Sequence, residues 1–366
     1  MDATIGWKNF IGNDSTLTKV LERCRAFLHT KNHTTYDLSM CASLIVEGEK
    51  NMPGNVYTCG WDVLALNVFP EFTYSATWLK DGKFYTEKDL IIADVHGSCV
   101  STGHVDKSFE YMAANFPGKI LYVNAESHVN IMDWDELDKK KRSFQIGPWN
   151  ENEYDRSTQV YLAAMTLFVV DKELWDWIFD PTLRKINNGK NQAIAYFVSN
   201  CVDFRQNAAK ELSNIVELHH GGGCHVEGNN TRRVEAEQHI WTSNWKLFRD
   251  YKYCLVMENK AQSGYITEKI IMAFLGGCVP IYYGTEEVFD LFNPNAFIFY
   301  DINNPKSAHD KMRLLENDLE AYREVFEEPI LRDGNRTIEK FFSLSDAGPV
   351  NPVLKSRIRK MMGMDE

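Results

Sequence analysis

The chain has no hydrophobic run long enough to cross a membrane. Its longest apolar candidate, Tyr161–Val170, falls well short of the roughly 18 residues that a spanning helix needs, and we interpret it as a core element. The N-terminus, MDATIGWKNFIGNDSTLTKV, has no basic segment followed by an apolar core, which is the pattern of a secretory signal peptide. The sequence as written therefore predicts a soluble, cytoplasmic protein without a signal peptide or transmembrane segment.

Basic residues are in the minority. Forty Lys and Arg stand against fifty-one Asp and Glu, so the formal net charge is −11 at pH 7. A general affinity for nucleic acid or for an anionic membrane is therefore not expected, since both depend on positive charge. An anionic ligand would need a specific pocket of basic side chains.

The cysteines form no CxxC pair and are scattered along the chain, several of them inside apolar, strand-like runs. This spacing predicts buried free thiols in preference to a disulfide framework or a zinc site. The eight positions are Cys24, Cys41, Cys59, Cys99, Cys201, Cys224, Cys254 and Cys278.

The composition that is present, 44% hydrophobic and 25% charged, is that of an ordinary globular protein, and a chain of 366 residues has room for about two domains. Apolar runs such as KDLIIADV and GKILYVNAE alternate with polar stretches in the first half, which predicts an α/β layer. We expect an N-terminal domain over 1–185, a second domain over 190–345 and a C-terminal helix or tail over 346–366.

The second half shows a clear order of strands and helices. The predicted strands are AIAYFVSN (193–200), IVELH (215–219), YCLVMEN (253–259) and VPIYYG (279–284), and the predicted helices are FRQNAAKEL (204–212) and TEKIIMAFL (267–275). Gly221–Gly223 is interpreted as a break after the second strand. A strand-helix-strand order implies a parallel sheet, whose ligands bind beyond the carboxyl ends of the strands. The loop Asn259–Thr267 is therefore the first place to look for a site.

This loop collects polar groups at a helix start. Thr267 is a suitable N-cap, and the free backbone N–H groups behind it favour an anion. Lys269 lies where the helix dipole disfavours a cation, and a bound phosphate explains it better. Glu268 is favoured by the dipole and could accept hydrogen bonds from sugar hydroxyls. The competing interpretation is an ordinary cap with an exposed Glu-Lys pair.

The stretch YKYCLVMENKAQSGYITEKIIMAFLGGCVPIYYG (251–284) closely resembles the signature of the glycosyltransferase family 10 fucosyltransferases, the α-1,3/1,4 enzymes that use GDP-fucose. The resemblance continues through FDLFNPNAFIFY (289–300). FVSNCVDFRQNAAKEL (197–212) and the GGG run after it are similar to the segment of bacterial members, and YVNAESHVN (122–130) looks like the family's N-x-E-S-P element. The family implies a GT-B fold, with two Rossmann-like domains and the active site in the cleft between them.

The resemblance also implies roles for individual residues. Arg205 and Lys269 are expected to hold the diphosphate of GDP-fucose, and Glu126 is the expected general base; with a displaced alignment Asp94 or Glu110 would serve instead. The rest of the donor pocket is expected to consist of Asn259, Tyr265, Thr267 and Glu268. A guanidinium, an ammonium and helix-start N–H groups can stabilise a leaving GDP without a metal.

The expected reaction is inverting transfer of L-fucose from GDP-fucose to a hydroxyl of a glycan, with an α-1,3 linkage and with a divalent metal at most stimulatory. The same fold could use another GDP-sugar, or the chain could be a catalytically silent glycan- or nucleotide-binding protein. Two sequence patterns that could indicate a metal site are weaker. Asp133-Trp134-Asp135 has D-x-D spacing but lies in a charged, helix-like run, and the histidines around Gly221–Cys224 lack zinc-like spacing.

The C-terminal segment VLKSRIRKMMGM (353–364) mixes basic and apolar residues. It could lie on a membrane surface as a peripheral contact. We favour a helix that packs across the two domains. The family's animal and plant members usually start with a Golgi signal anchor, which this sequence lacks, so a bacterial-type or viral enzyme or a trimmed chain is expected.

Overall fold

The computed structural model describes residues 54–58, 64–65, 68–75, 85–94, 116–123, 142–147, 157–159, 178, 180, 191–235, 244–342 and 352–364. The chain divides into two compact units, one formed by Met1–Val160 together with Ser343–Glu366 and the other by Tyr161–Phe342. The expected domains were 1–185 and 190–345, with a C-terminal helix or tail over 346–366; in this division the C-terminal segment belongs to the N-terminal unit.

The N-terminal unit contains a six-stranded parallel sheet in the order β2-β1-β3-β4-β5-β6. Its strands are β1 (Asn55–Thr58), β2 (Thr73–Ser75), β3 (Leu90–Asp94), β4 (Lys119–Val123), β5 (Ser143–Gly147) and β6 (Ser157–Gln159). The central pair β3 and β4 has Leu90 opposite Lys119 and Asp94 opposite Val123. Both strands come from the apolar runs in KDLIIADV and GKILYVNAE, as expected for strands covered on both faces.

The second unit contains another six-stranded parallel sheet, in the order β12-β11-β10-β7-β8-β9. Its strands are β7 (Asn191–Val198), β8 (Leu218–Gly222), β9 (Thr231–Arg233), β10 (Tyr251–Met257), β11 (Val279–Tyr283) and β12 (Ile298–Phe299). The described helices of this unit are α1 (Asp203–Ser213), α2 (Trp245–Phe248), α3 (Glu268–Leu275), α4 (Val288–Leu291), α5 (Lys306–Asn317), α6 (Leu319–Glu327) and α7 (Asn335–Thr337), and a π-helical turn follows over Ile338–Phe342. Two α/β units with parallel sheets confirm the predicted α/β class.

Strand β10 is the centre of the second sheet. All seven of its residues are buried, and it pairs in parallel with β7 on one side and β11 on the other. One face of the sheet packs against α1, α5 and α6 through a core that includes Leu212, Leu255, Met312 and Phe326. Helix α3 is apolar and buried along nearly its whole length, so it packs against the sheet. Its first turn lies at the carboxyl end of β10.

Strand β8 lies three residues later than predicted, because two of the glycines that we interpreted as a break belong to it. The close approach of β8 to β7 explains the difference. A Cβ atom on Gly221 would lie 2.9 Å from the Phe197 ring, and one on Gly222 would lie 2.5 Å from the Val198 carbonyl oxygen. Gly222 also has φ +82°, a conformation that other residues rarely adopt.

The prediction of free thiols is wrong for the four cysteines that the structure describes. Cys201 is bonded to Cys224, and Cys254 is bonded to Cys278. The sequence spacings of 23 and 24 residues hide these pairs, because each joins two segments that meet only when the parallel strands are side by side. Cys24, Cys41, Cys59 and Cys99 lie outside the described residues.

The last helix, α8 (Pro352–Met361), packs on the N-terminal unit. Its Leu354 and Ile358 are buried, and the Arg359 guanidinium donates to Glu71 Oε1 at 2.6 Å and to a backbone carbonyl nearby. These contacts join the helix to the N-terminal unit, and its packing across both domains stays a prediction. In the parts of the chain that the structure describes, no helix combines the length and the apolar character that crossing a bilayer requires.

Removing the Cys254–Cys278 bond, in the double variant Cys254→Ala with Cys278→Ala, should lower the free energy of unfolding by about 3 kcal/mol, because the bond restricts the unfolded chain over 24 residues. Chemical denaturation measures this loss, and reduction of the wild-type protein before unfolding is the matched control. Peptide mapping without reductant should recover the two segments linked. Their recovery as separate peptides would contradict the pairing.

Candidate active site

The polar residues predicted from the sequence meet at the carboxyl edge of the second sheet. The segment after β7 carries Asn200, the segment after β10 begins with Glu258, and helices α1 and α3 start at the same edge. The Cys201–Cys224 bond ties the segment after β7 to the segment after β8. Because neighbouring parallel strands end side by side, residues as far apart in the sequence as Asn200 and Asn259 become neighbours here.

Arg205 is the largest fully buried side chain among the described residues, with 1% of its surface exposed. Its Nε donates to the Glu258 carbonyl oxygen at 3.3 Å, and its two terminal nitrogens donate to the Asn200 carbonyl oxygen at 3.4 Å and to Asn259 Oδ1 at 2.6 Å. Burial lowers the pKa of the guanidinium, but an arginine remains charged at any physiological pH. The three hydrogen-bond acceptors of this charge are neutral oxygens, whereas the Glu258 and Glu268 carboxylates act on it through space.

Glu258 is completely buried at the end of β10. Its carboxylate accepts hydrogen bonds from the Thr267 N–H at 2.8 Å, from the Thr267 hydroxyl at 2.8 Å and from the Tyr282 hydroxyl at 3.3 Å. Burial raises the pKa of this carboxyl above its ordinary value, because the Lys269 ammonium and the Thr267 donors offset only part of that effect and Glu268 adds to it. The sequence analysis missed Glu258, although a Glu that directly follows a fully apolar strand was a signal for it.

The Lys269 ammonium lies next to two carboxylates, those of Glu258 and Glu268. Its Nζ lies 3.0 Å from Thr267 Oγ1, 3.2 Å from Glu258 Oε2 and 3.6 Å from Glu268 Oε1. Burial alone lowers the pKa of the ammonium, but the two carboxylates outweigh that effect and raise the pKa above its ordinary value. Lys269 therefore stays charged at neutral pH, and with 24% of its side chain exposed it remains accessible from solvent.

The start of α3 is capped as predicted. The Thr267 hydroxyl accepts a hydrogen bond from the Lys269 N–H at 3.4 Å, and Thr267 itself is extended, with φ −102° and ψ −173°. Such a cap leaves other first-turn N–H groups without a partner in the helix. Two cations, the buried Arg205 and the partly exposed Lys269, lie close to this helix N-terminus. The helix dipole there also favours negative charge.

The loop before α3 is held by a residue that follows the neighbouring strand β11. Glu287 follows β11 and accepts from the Ser263 hydroxyl at 2.5 Å and from the Gly264 N–H at 2.6 Å. Gly264 has φ +73°, which turns the chain so that Tyr265 is buried and its hydroxyl lies 3.5 Å from Asn259 Nδ2. Asn259 in turn is the acceptor for Arg205, so the loop and α1 are joined.

All six residues that we predicted for the donor pocket are described, and their contacts, together with Glu258, form one network. The predicted residues are Arg205, Asn259, Tyr265, Thr267, Glu268 and Lys269. Glu126, the predicted general base, lies outside the described residues, as do Glu110, Asp133 and Asp135. Asp94 is the last residue of β3 in the other unit.

The histidines at the end of β8 are engaged in other contacts. His219 lies 3.0 Å from Glu217 Oε1 and 3.3 Å from the Tyr251 hydroxyl, and the rings of His220 and His225 pack edge to face. Burial lowers the pKa of His220. Within the described ranges, no group of three or more His, Cys, Asp or Glu side chains is arranged to hold a metal ion.

Comparison with known proteins agrees with this geometry. Residues 187–328 match the model of the glycosyltransferase family 10 (fucosyltransferase) C-terminal domain. Residues 187–328 are therefore similar to the C-terminal domain of the family 10 fucosyltransferases. The matched region contains every residue of the network described above and confirms the resemblance of 197–212 and 251–300, whereas the resemblance of 122–130 lies outside it.

Similar proteins support the family and the fold. The alpha-(1,3)-fucosyltransferase FucT of Helicobacter pylori is 32% identical over 127 residues, which are 34% of this chain and 25% of that enzyme. GDP-fucose protein O-fucosyltransferase 3 of Canis lupus familiaris is 25% identical over 152 residues, 40% of this chain and 32% of that protein. These matches span only about a quarter to a third of each relative's length.

A crystal structure of an alpha1,3-fucosyltransferase superposes on most of the chain. Its TM-score is 0.52 at 18% identity, and the superposition covers 88% of this chain and 92% of that one. At this identity the likeness concerns the fold, and it confirms the predicted GT-B type of α/β architecture.

Replacing Glu287 with Ala should loosen the loop before α3 without unfolding the sheet. Loss of two charge-assisted hydrogen bonds removes about 1.5 kcal/mol or more of local stability, so amide exchange at 260–266 should speed up at least about tenfold. Hydrogen exchange followed by mass spectrometry measures it. The matched control is Glu286→Ala, an exposed neighbour. Equal exchange in both variants would show that Glu287 does not hold the loop.

Proposed function

We propose that this chain transfers L-fucose from GDP-fucose to a hydroxyl of a glycan, with inversion at the anomeric carbon. The observation that carries the proposal is the buried, positively charged Arg205 beside Lys269 at a helix start, in a domain of the fucosyltransferase family. The names of the related enzymes agree with a fucosyl donor and, for GDP-fucose protein O-fucosyltransferase 3, with GDP as its carrier.

The cationic edge suits the charge that develops in such a transfer. The acceptor oxygen attacks the anomeric carbon of fucose, the bond from that carbon to the β-phosphate oxygen breaks, and the electron pair of that bond goes to the phosphate. The leaving GDP therefore gains negative charge. A guanidinium fork, an ammonium and the free N–H groups of a helix start stabilise that charge where it forms.

The same arrangement makes a metal unnecessary for leaving-group stabilisation. Arg205 and Lys269 supply two positive charges, and Glu268 has the weakest hold on Lys269, with a 3.6 Å contact from a partly exposed carboxylate. Diphosphate oxygens can take the place of Glu268 on the ammonium. Glu268 is then free to accept hydrogen bonds from the hydroxyls of the sugar. We therefore propose that transfer requires no divalent cation.

The proton of the acceptor hydroxyl needs a base on the face of the sugar opposite to GDP. We propose Glu126 for this role, because it comes shortly after β4 in the sequence, in an element similar to that of the family. Glu110 and Asp94 are the alternatives. The attack from the opposite face accounts for the inversion.

Acceptor and donor specificity can be tested directly. An α-1,3 linkage to a glycan is proposed, and a protein hydroxyl is the second candidate because the relatives include protein O-fucosyltransferase 3. Mass spectrometry of products from glycan and folded-protein acceptors distinguishes these. Transfer from another GDP-sugar alone would replace fucose in the proposal, and binding without any transfer would indicate a silent binding protein.

Lys269→Ala should weaken the binding of GDP by about ten- to a hundredfold, because it removes a charge-assisted contact worth about 1.5–3 kcal/mol. Titration calorimetry measures the affinity, with EDTA and then with Mn²⁺. Lys260→Ala, an exposed lysine of the same loop, is the matched control. Thermal unfolding is followed in parallel because the variant leaves Glu258 buried without its cation. Binding that depends on Mn²⁺ would contradict the metal-free site and direct attention to Asp133 and Asp135.

Glu126→Gln should leave GDP affinity within about twofold of wild type and lower turnover by at least about a hundredfold, since only the proton acceptor is lost. Initial rates of fucosyl transfer, together with calorimetry, measure both quantities. Glu110→Gln serves as the control and should retain transfer. Retained turnover in Glu126→Gln with loss in Glu110→Gln would move the base to Glu110.

A further inference from the structure

We propose that Glu258 is a positioning residue that sets the place of both cations of the donor site. This inference rests on the proposed function, because it takes Arg205 and Lys269 as the partners of the donor diphosphate. Glu258 contacts each of them through a different part of the residue. Its backbone carbonyl accepts from Arg205 Nε at 3.3 Å, and its carboxylate lies 3.2 Å from Lys269 Nζ.

The two carboxylates next to Lys269 differ in how firmly they are held. Glu258 is completely buried and accepts from the Thr267 N–H, the Thr267 hydroxyl and the Tyr282 hydroxyl, which fix its side chain from two elements. Glu268 has 16% of its side chain exposed and its contact with Lys269 is the longer one, at 3.6 Å. A ligand that reaches Lys269 can therefore replace Glu268 but not Glu258.

Glu258 also holds the start of α3. The bond from the Thr267 N–H to its carboxylate fixes the residue whose hydroxyl caps the helix, so the first-turn N–H groups depend on the same carboxylate as the ammonium. A buried carboxylate is costly unless it is paired and hydrogen-bonded, and here the pairing orients the ammonium and the helix start together. The guanidinium is held by the backbone carbonyl of the same residue.

The charged and titratable groups that face Lys269 come from several elements. They are Glu258 at the end of β10, Glu268 on its own helix, Tyr265 from the loop and Arg205 from α1, while Tyr282 on β11 reaches Glu258. The carboxylates raise the pKa of the ammonium, and burial and Arg205 lower it. Without the Glu258 charge, one of the groups that raise the pKa of Lys269 is lost, while burial and Arg205 still lower it. The pKa of Lys269 must therefore fall.

The test is the dissociation constant of GDP as a function of pH for wild type and Glu258→Gln, an isosteric change that removes the charge. Protonated Lys269 is the form that binds the diphosphate. The ratio of the variant's dissociation constant to that of wild type should therefore rise between about pH 7 and about pH 9.5, by up to about tenfold per pH unit. The guanine base titrates equally with both proteins, so it cancels from the ratio.

Two further variants separate positioning from packing. Tyr282→Phe removes one hydrogen bond to the carboxylate and keeps its charge, so its ratio should not change with pH. Glu258→Asp keeps the charge but withdraws it from Lys269, so its ratio should rise less steeply than that of Glu258→Gln. If the Gln variant does not fold, the Asp variant carries the test, and a ratio constant with pH then overturns the proposal.

The outcomes are distinct. A ratio that is raised but constant with pH would mean that Glu258 acts only in packing, which overturns the proposal. Tighter GDP binding by Glu258→Gln at every pH would mean that the carboxylate merely opposes the anion, which also overturns it. Failure of the wild type to bind GDP overturns the proposed donor site itself, and the positioning role falls with it.

Discussion

The ion pair between Glu258 and Lys269 is the interaction on which the rest of the site depends. A carboxylate without solvent contact at the end of a central strand is tolerated only because an ammonium and three hydrogen bonds surround it. Those partners come from the loop, from the helix start and from the neighbouring strand β11. The arrangement of side chains in the site therefore follows from the need to compensate the buried charge of Glu258. The edge of the sheet is the rigid support that holds these partners in place.

The second unit combines a well-packed scaffold with a polar edge. Its central strands are apolar throughout, whereas the segments that leave them carry Asn200, Glu258 and Glu287. These segments are fixed by contacts with their neighbours: a disulfide joins those after β7 and β8, and Glu287 after β11 holds the loop after β10. Each loop of the site is restrained by another loop. The site can therefore keep its geometry although its residues come from several loops and not from one helix or strand.

The family assignment and the physical description support each other at different levels. The family model covers 187–328, and the superposition with an alpha1,3-fucosyltransferase concerns the fold of most of the chain. The cation pair and the helix start are the basis of the proposal that this edge holds a nucleoside diphosphate without a metal, and that chemical argument is independent of the match. The first unit shares the parallel-sheet architecture, and its β4 precedes the segment from which we propose the base.

The sequence by itself determined the α/β class, the strand-helix-strand order around 253–284, the Thr267 cap and six residues of the network at the sheet edge, because these depend on local periodicity and on a contiguous motif. It placed strand β8 too early and missed the disulfides and Glu258. Those features arise from neighbours that are distant in sequence: the approach of β8 to β7, the pairing of Cys201 with Cys224, and a carboxylate whose partners lie up to 24 positions away. Only the tertiary structure brings such groups together, because side-by-side parallel strands, and no local pattern, decide which loops meet.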